Sequence, residues 1–271
     1  MPVGDNPESV CRGFDGKLYV TVMNQPDVPG DGVIKVIDGD EIRVFATGLD
    51  EPKGIAFTGE YLIASDATRV WKIDASGKAT VLAEAGAFPF PPLFLNDVAL
   101  AEDKRSVYVS DTGDVPAMFT PEGGLWLIGS AEGAAIPLIS RVFKITMEGA
   151  VSVAVDAGPE LPNINGVATP EAGLLLVADF FTGDIFAFRD GKGTQLASGL
   201  RGADGIESDR AGRLYVSSWT QGKVWRLDAD GTNAQIVVEG LQSAADFFLD
   251  EDAGVLVVPD MKAGTLTFAP L

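Results

Sequence analysis

The 271 residues carry 39 Asp and Glu against 20 Lys and Arg, a formal charge of −19, which argues against a nucleic-acid partner because no basic stripe is present to neutralise phosphates. The chain has no histidine, which excludes Ser-His-Asp and Cys-His mechanisms, His-ligated zinc and imidazole acid–base chemistry. A hydrophobic content of 46% is enough for a packed core, and no apolar run reaches the roughly 18 residues of a membrane helix.

In chain order, Met1-Pro2-Val3-Gly4 carries no secretory signal. It suits a cytoplasmic start, or the start left in the periplasm after removal of a leader. The phrase Glu8-Ser9-Val10 then opens a run of short segments rich in β-branched residues. Cys11, in an apolar/polar alternation, reads as a small core residue, and as the single cysteine it has no internal disulfide partner. A turn at Phe14-Asp15-Gly16 leads to a second strand at Leu18-Tyr19-Val20. An outer strand follows around Ile42-Arg43-Val44-Phe45.

The same order then returns five times. The openings are Lys53-Gly54-Ile55, Asn96-Asp97-Val98, Asn165-Gly166-Val167, Asp204-Gly205-Ile206 and Ala245-Asp246-Phe247. From Glu8 onward they lie 45, 43, 69, 39 and 41 residues apart. Four of these gaps match a propeller blade of roughly 40–50 residues. The long gap places an insertion in the third blade near 113–140, a stretch containing Pro116, Pro121, Gly123, Gly124, Gly129 and Pro137. The expected architecture is all-β: one six-bladed propeller over residues 1–271, with four-stranded blades and no convincing helix. The last repeat supplies three strands, ending at Thr265-Leu266-Thr267-Phe268. Only Met1 to Pro7 precede the first opening, so the sixth blade is expected to be three-stranded or weakly completed by a few N-terminal residues.

A propeller sets one residue of each opening around a shared channel, here Glu8, Lys53, Asn96, Asn165, Asp204 and Ala245. Glu8, Asn96, Asn165 and Asp204 are hard oxygen donors. Without Cys or His they favour a divalent cation, calcium first, with magnesium or manganese behind it. Two carboxylates nearly balance such an ion and leave it able to act as a Lewis acid. The bland alternative is that Asn-Gly and Asp-Gly pairs are common turn residues. Lys53 either pairs with Glu8, Asp66 or another carboxylate, or holds a substrate carboxylate or developing oxyanion. Ala245 gives no ligand; its neighbour Asp246 is the candidate there. Asp66, Asp111, Asp179 and Asp260, at second-strand ends, read as acceptors for backbone N–H groups between blades. Met23, Phe180, Phe181 and Trp219 are candidate pocket walls. The segment from Phe88 to Phe94 either roofs the channel or covers a core edge.

The phrases Pro7-Glu8-Ser9-Val10, Pro52-Lys53-Gly54-Ile55-Ala56, Leu95-Asn96-Asp97-Val98, Asn165-Gly166-Val167-Ala168 and Asp204-Gly205-Ile206, with Gly212-Arg213-Leu214-Tyr215-Val216-Ser217, together resemble the gluconolactonase/regucalcin-like family of six-bladed propellers. The diisopropyl-fluorophosphatase and paraoxonase types are more distantly similar. The resemblance covers nearly the whole chain. It implies that Glu8, Asn165 and Asp204 bind a catalytic divalent metal, that Asn96 contacts the metal or substrate, and that Asp204 serves as base or nucleophile. The histidines that assist the fluorophosphatase and paraoxonase types have no counterpart here. The functional expectation is a metal-dependent hydrolase opening a lactone or related ester, with a small molecule as substrate and neither nucleic acid nor membrane as partner. Two rivals stand beside it. One is a non-catalytic ligand- or protein-binding propeller with a structural calcium ion; the other is a lyase acting on a cyclic substrate.

Overall fold

Valine-, isoleucine- and tyrosine-rich segments separated by Gly and Asp turns fold into antiparallel meanders throughout the computed structural model, which describes residues 1–26 and 28–271. The first sheet is β1 (Pro7–Arg12), β2 (Leu18–Val22), β3 (Gly32–Asp38) and β4 (Glu41–Leu49). The second is β5 (Pro52–Phe57), β6 (Leu62–Asp66), β7 (Arg69–Ile73) and β8 (Ala79–Ala83). The third is β9 (Leu95–Leu100), β10 (Ser106–Asp111), β11 (Arg141–Thr146) and β12 (Val151–Val155). The fourth is β13 (Ile164–Ala168), β14 (Leu175–Asp179), β15 (Ile185–Arg189) and β16 (Lys192–Ala197). The fifth is β17 (Ala203–Ser208), β18 (Leu214–Ser218), β19 (Lys223–Leu227) and β20 (Gln235–Val238). The sixth has three strands, β21 (Phe248–Asp250), β22 (Val255–Asp260) and β23 (Thr265–Pro270).

The first strand of each sheet packs on the first strand of the next, and β21 and β22 return to β1, which closes the ring. Burial follows this arrangement. The inner strand β13 is buried at every position, whereas the outer β16 is largely exposed. The cores lie between neighbouring sheets, as where Tyr19 and Ile34 of the first meet Ile55 and Leu62 of the second. Closure uses the N-terminus. Val3 donates its N–H to Gly264 O at 2.9 Å, Leu266 donates to Met1 O at 2.8 Å, and Pro2 bridges Thr265. A few N-terminal residues thus cover the edge of β23 without forming a full fourth strand.

Two details depart from the regular repeat. The inner strand of the sixth sheet starts only at Phe248, and the opening around Ala245 holds by the Ala244–Asp260 bridge and one bond from Ala245 N–H to Pro259 O at 3.0 Å. Pro259 has no N–H to return, so the ladder cannot continue there. Among the described residues helix is confined to one α-turn, α1 (Ala131–Ala134), and three short 3₁₀ turns. Residues 112–140, which include α1, lie between β10 and β11 and build a small apolar cluster around Met118 and Ile136 that takes in Phe180, Phe181 and Trp219 of the neighbouring blades.

Candidate functional site

Five of the six repeated openings are β-bulges. Pro7 pairs with Val22 and Val10 with Val20, so Glu8 and Ser9 together oppose Thr21 alone. The ladders shift in the same way across Lys53-Gly54, Asn96-Asp97, Asn165-Gly166 and Asp204-Gly205. A bulge turns an extra side chain away from the regular pleat. Here it turns the first residue of each pair towards the channel mouth. The backbone amides freed from the ladder are taken up by hydroxyls of the second strands: Ser9 N–H by Thr21 Oγ1 at 2.9 Å, Asp97 N–H by Ser110 Oγ at 2.9 Å and Gly205 N–H by Ser217 Oγ at 2.8 Å.

The glycines in this motif answer to crowding between blades. A Cβ on Gly54 would lie 2.5 Å from Val98 N and 2.6 Å from Asp97 Cα; one on Gly166 would lie 2.4 Å from Asp204 O. The inner strands converge so closely below the mouth that some positions admit no side chain. Positions that keep one form a second buried layer, in which Ser9 donates its hydroxyl to Asp246 Oδ2 and Asp97 Oδ2 accepts Val167 N–H at 2.7 Å. Asp246 therefore sits below the mouth rather than in it.

Glu8, Lys53, Asn96, Asn165 and Asp204 all line one cavity of about 230 Å³. All five are buried. Among the described residues, six buried side-chain polar atoms have no hydrogen-bond partner, and four of them belong to this ring: Glu8 Oε2, Asn96 Oδ1, Asn165 Oδ1 and Asp204 Oδ1. A fold that leaves such acceptors unpaired incurs a desolvation penalty at each one. Their concentration on one cavity floor is what a cation site requires, since an ion satisfies several acceptors at once. Among the described residues no cluster of three or more His, Cys, Asp or Glu assembles. The floor instead joins two carboxylates to two amide oxygens, a hard-oxygen set that fits a divalent cation.

Electrostatics agree with this composition. Burial pushes the Glu8 carboxyl well above the ordinary carboxylate range; the charges of Asp204 and Asp246 push it the same way, and Lys53 opposes them. Asp204 is raised as well, first by burial and then by Asp246 and Asp97. Lys53 Nζ donates to Glu51 O and Glu51 Oε2, each at 3.2 Å, and stands 4.1 Å above the Phe94 ring. Of the carboxylates considered for it, the partner is Glu51, two residues away, rather than Glu8 or Asp66. Asn96 is oriented by donation from Nδ2 to Thr112 Oγ1 at 3.3 Å, which leaves its Oδ1 facing the cavity.

The four second-strand aspartates have the structural role expected. Asp66 accepts from Asp50 N and Glu51 N, Asp111 from Phe94 N, Asp179 from Asn163 N, and Asp260 from Gln242 N and Ser243 N. Each ties the chain entering one blade to the second strand of that blade, and so fixes the approach to the ring. Of the candidate wall residues, Met23, Phe180 and Trp219 line the cavity. Phe181 turns away and lies under the Arg201 guanidinium. The segment before Asn96 does both jobs proposed for it: Phe94 lines the cavity, while Phe88 is buried against Phe143.

The sequence reading missed Thr112, Val115, Met118, Phe119 and Met261, all of which line the cavity. Val115, Met118 and Phe119 come from the 112–140 segment, where Pro and Gly content conceals any periodicity. Phe119, Phe180 and Trp219 form a triangle of rings with centroids 6.2–6.3 Å apart, and Trp219 Nε1–H donates to Met261 Sδ at 3.0 Å. The site thus has a polar floor and an apolar wall.

No protein-family model matches the sequence, and no curated protein matches it. Solved structures do. A gluconolactonase from Xanthomonas campestris superposes with a TM-score of 0.65 at 19% identity, covering 100% of this chain and 97% of that one. A calcium-binding protein, regucalcin, from Agrobacterium tumefaciens superposes with a TM-score of 0.68 at 16% identity, covering 95% of this chain and 82% of that one. At such identities the likeness is one of fold, and it agrees with the resemblance carried by the ring phrases.

Proposed function

We propose that the chain is a divalent-cation-dependent hydrolase that opens a lactone or related ester at the mouth of the propeller channel. The observation that carries this reading is the set of four unpartnered, buried oxygens, two anionic and two neutral, on one cavity floor. Glu8, Asn96, Asn165 and Asp204 are the residues that would hold the cation, with calcium the best match to an all-oxygen set. When bound, the ion supplies Lewis-acid polarisation of the ester carbonyl.

The remaining work falls to the chain. Asp204 accepts a proton from water as the water oxygen bonds to the acyl carbon. The acyl–oxygen bond then breaks, and the departing alkoxide recovers that proton to give a hydroxy acid. In the cation-free chain burial, then Asp246 and Asp97, raise the proton affinity of Asp204, and with a cation bound it would fall, favouring the carboxylate that acts as base. Asn96, held by Thr112, orients the substrate or completes the donor set. The Lys53 ammonium, steadied by Glu51 and Phe94, offers positive charge to the developing oxyanion and to the product carboxylate. The likeness to a gluconolactonase supports the same reaction class.

The test is chelator-treated protein assayed on a panel of lactones with calcium, magnesium or manganese restored. Recovery of turnover by one of these cations, lost again in Asp204→Asn, is the expected result. Cation-dependent stability with no turnover of any lactone or phosphotriester assigns the protein instead to the second reading, a ligand- or protein-binding propeller with structural calcium, which the likeness to a calcium-binding regucalcin favours. Product mass separates hydrolysis, which adds water, from a lyase reaction, which does not.

A further inference from the structure

We infer that the substrate is an uncharged lactone carrying an alkyl or aryl substituent, not a polyhydroxylated sugar lactone; this rests on the hydrolase reading above and narrows it. The wall above the oxygen floor is built from Met23, Phe94, Met118, Phe119, Phe180 and Trp219, which come from four different sheets and the 112–140 segment. These side chains are held in place. The rings of Phe119, Phe180 and Trp219 pack on one another, and Met118 is fully buried against Ile136 in the same apolar cluster.

The hydrogen-bonding side chains that reach the wall are few, and each already holds a bond to a neighbour. Trp219 Nε1–H is taken by Met261 Sδ, Thr112 Oγ1 by Asn96, and Lys53 Nζ by Glu51. Away from Lys53 and Thr112, a ring hydroxyl entering this space loses its water and meets carbon or sulfur in return. An alkyl or aryl group there displaces water and contacts polarisable methionine and aromatic surface. The volume of about 230 Å³ lies below the usual 300–1,000 Å³ of small-molecule sites, so it admits a single lactone ring with a compact substituent. The ester carbonyl would face the cation that the oxygen floor would hold, and the substituent the wall, since that orientation matches polar and apolar surfaces.

The experiment compares two lactones of the same ring size on calcium-loaded protein: a δ-lactone with a short alkyl substituent and D-glucono-δ-lactone. Rates are corrected for uncatalysed opening. The expected kcat/KM ratio favours the alkyl lactone by at least about a hundredfold, the order of discrimination that an apolar pocket exerts against an added hydroxyl. Equal rates, or preference for the polyhydroxylated lactone, overturn the inference and leave the hydrolase reading intact. If neither lactone is opened, the hydrolase reading is decided by the wider panel above, and the same pair is ranked by quenching of Trp219 fluorescence, with Trp219→Phe identifying the signal. Binding of the alkyl lactone at least about tenfold tighter supports the inference in that case, and equal or reversed affinity overturns it.

Discussion

Replacing Asp204 with Asn keeps the side chain's size and removes its charge, and its effect on stability has opposite signs with and without calcium. In the cation-free protein Asp204 is 3% exposed, its Oδ1 has no hydrogen-bond partner, and the charges of Asp246 and Asp97 act against its ionisation. Folding at alkaline pH must then either protonate this group or bury its charge. The amide keeps the acceptor but drops the charge, and since each pH unit by which a carboxyl is raised is worth about 1.4 kcal/mol above its folded value, the neutral side chain stabilises the cation-free fold by on the order of 1–2 kcal/mol. An unfolding entropy of about 2.1 cal/mol/K per residue amounts to about 0.57 kcal/mol/K for 271 residues, so Tm rises by roughly 2–4 °C. Calcium reverses the order. At a hundredfold excess over Kd the parent gains about 2.7 kcal/mol, roughly 5 °C. The variant keeps one carboxylate of two and gains less than about 1 °C at the same concentration. Calorimetry in chelator and in calcium, at about pH 8, reads both numbers. A variant that is less stable than the parent in chelator and gains the full calcium shift refutes the shared-ion reasoning.

The raised proton affinities of Glu8 and Asp204 make cation binding pH-dependent. A carboxyl raised in the folded state contributes stability that is complete below its unfolded value near 4 and is lost as pH rises through the folded value, so the cation-free Tm falls as pH rises above about 4. Calcium binding displaces those protons, so its affinity weakens as pH falls; titration calorimetry in buffers of different ionisation enthalpy detects the released protons, and identical heats in all buffers contradict the assignment. Gly166→Ala forces a Cβ to within 2.4 Å of Asp204 O and is expected to destabilise by about 1–3 kcal/mol, lowering the urea midpoint with an unchanged slope. Cys11 is a free, buried thiol whose ionisation burial suppresses, and an aromatic disulfide reagent is expected to label it only after denaturation.

The ring was legible because a bulge consumes two residues at a fixed place in five of the six repeats, so its sequence trace recurs at blade spacing. That regularity also carried the strands and the aspartates at Asp66, Asp111, Asp179 and Asp260, whose partners lie in the short link before each opening. The partner of Lys53 was less legible, since Glu8, Glu51 and Asp66 are all near it in the fold and only side-chain direction separates them. The weak sixth opening followed from Pro259, which lies on the neighbouring strand and breaks the ladder for a segment that itself looks regular.

The periodic part of this protein, six sheets and four oxygen donors at their inner starts, was settled by the order of residues alone. Local rules act within one repeat, and the repeat states them six times. The part of the cavity wall that comes from residues 112–140 was decided only by tertiary structure. Met23, Phe180, Trp219 and Met261 each follow the last residue of a second strand and so recur with the blades, whereas Val115, Met118 and Phe119 obey no such spacing and reach them because the 112–140 segment folds over the cavity. Charge and hydrogen-bond demand can be read from a chain one residue at a time, but the shape of an apolar surface exists only once distant side chains share it.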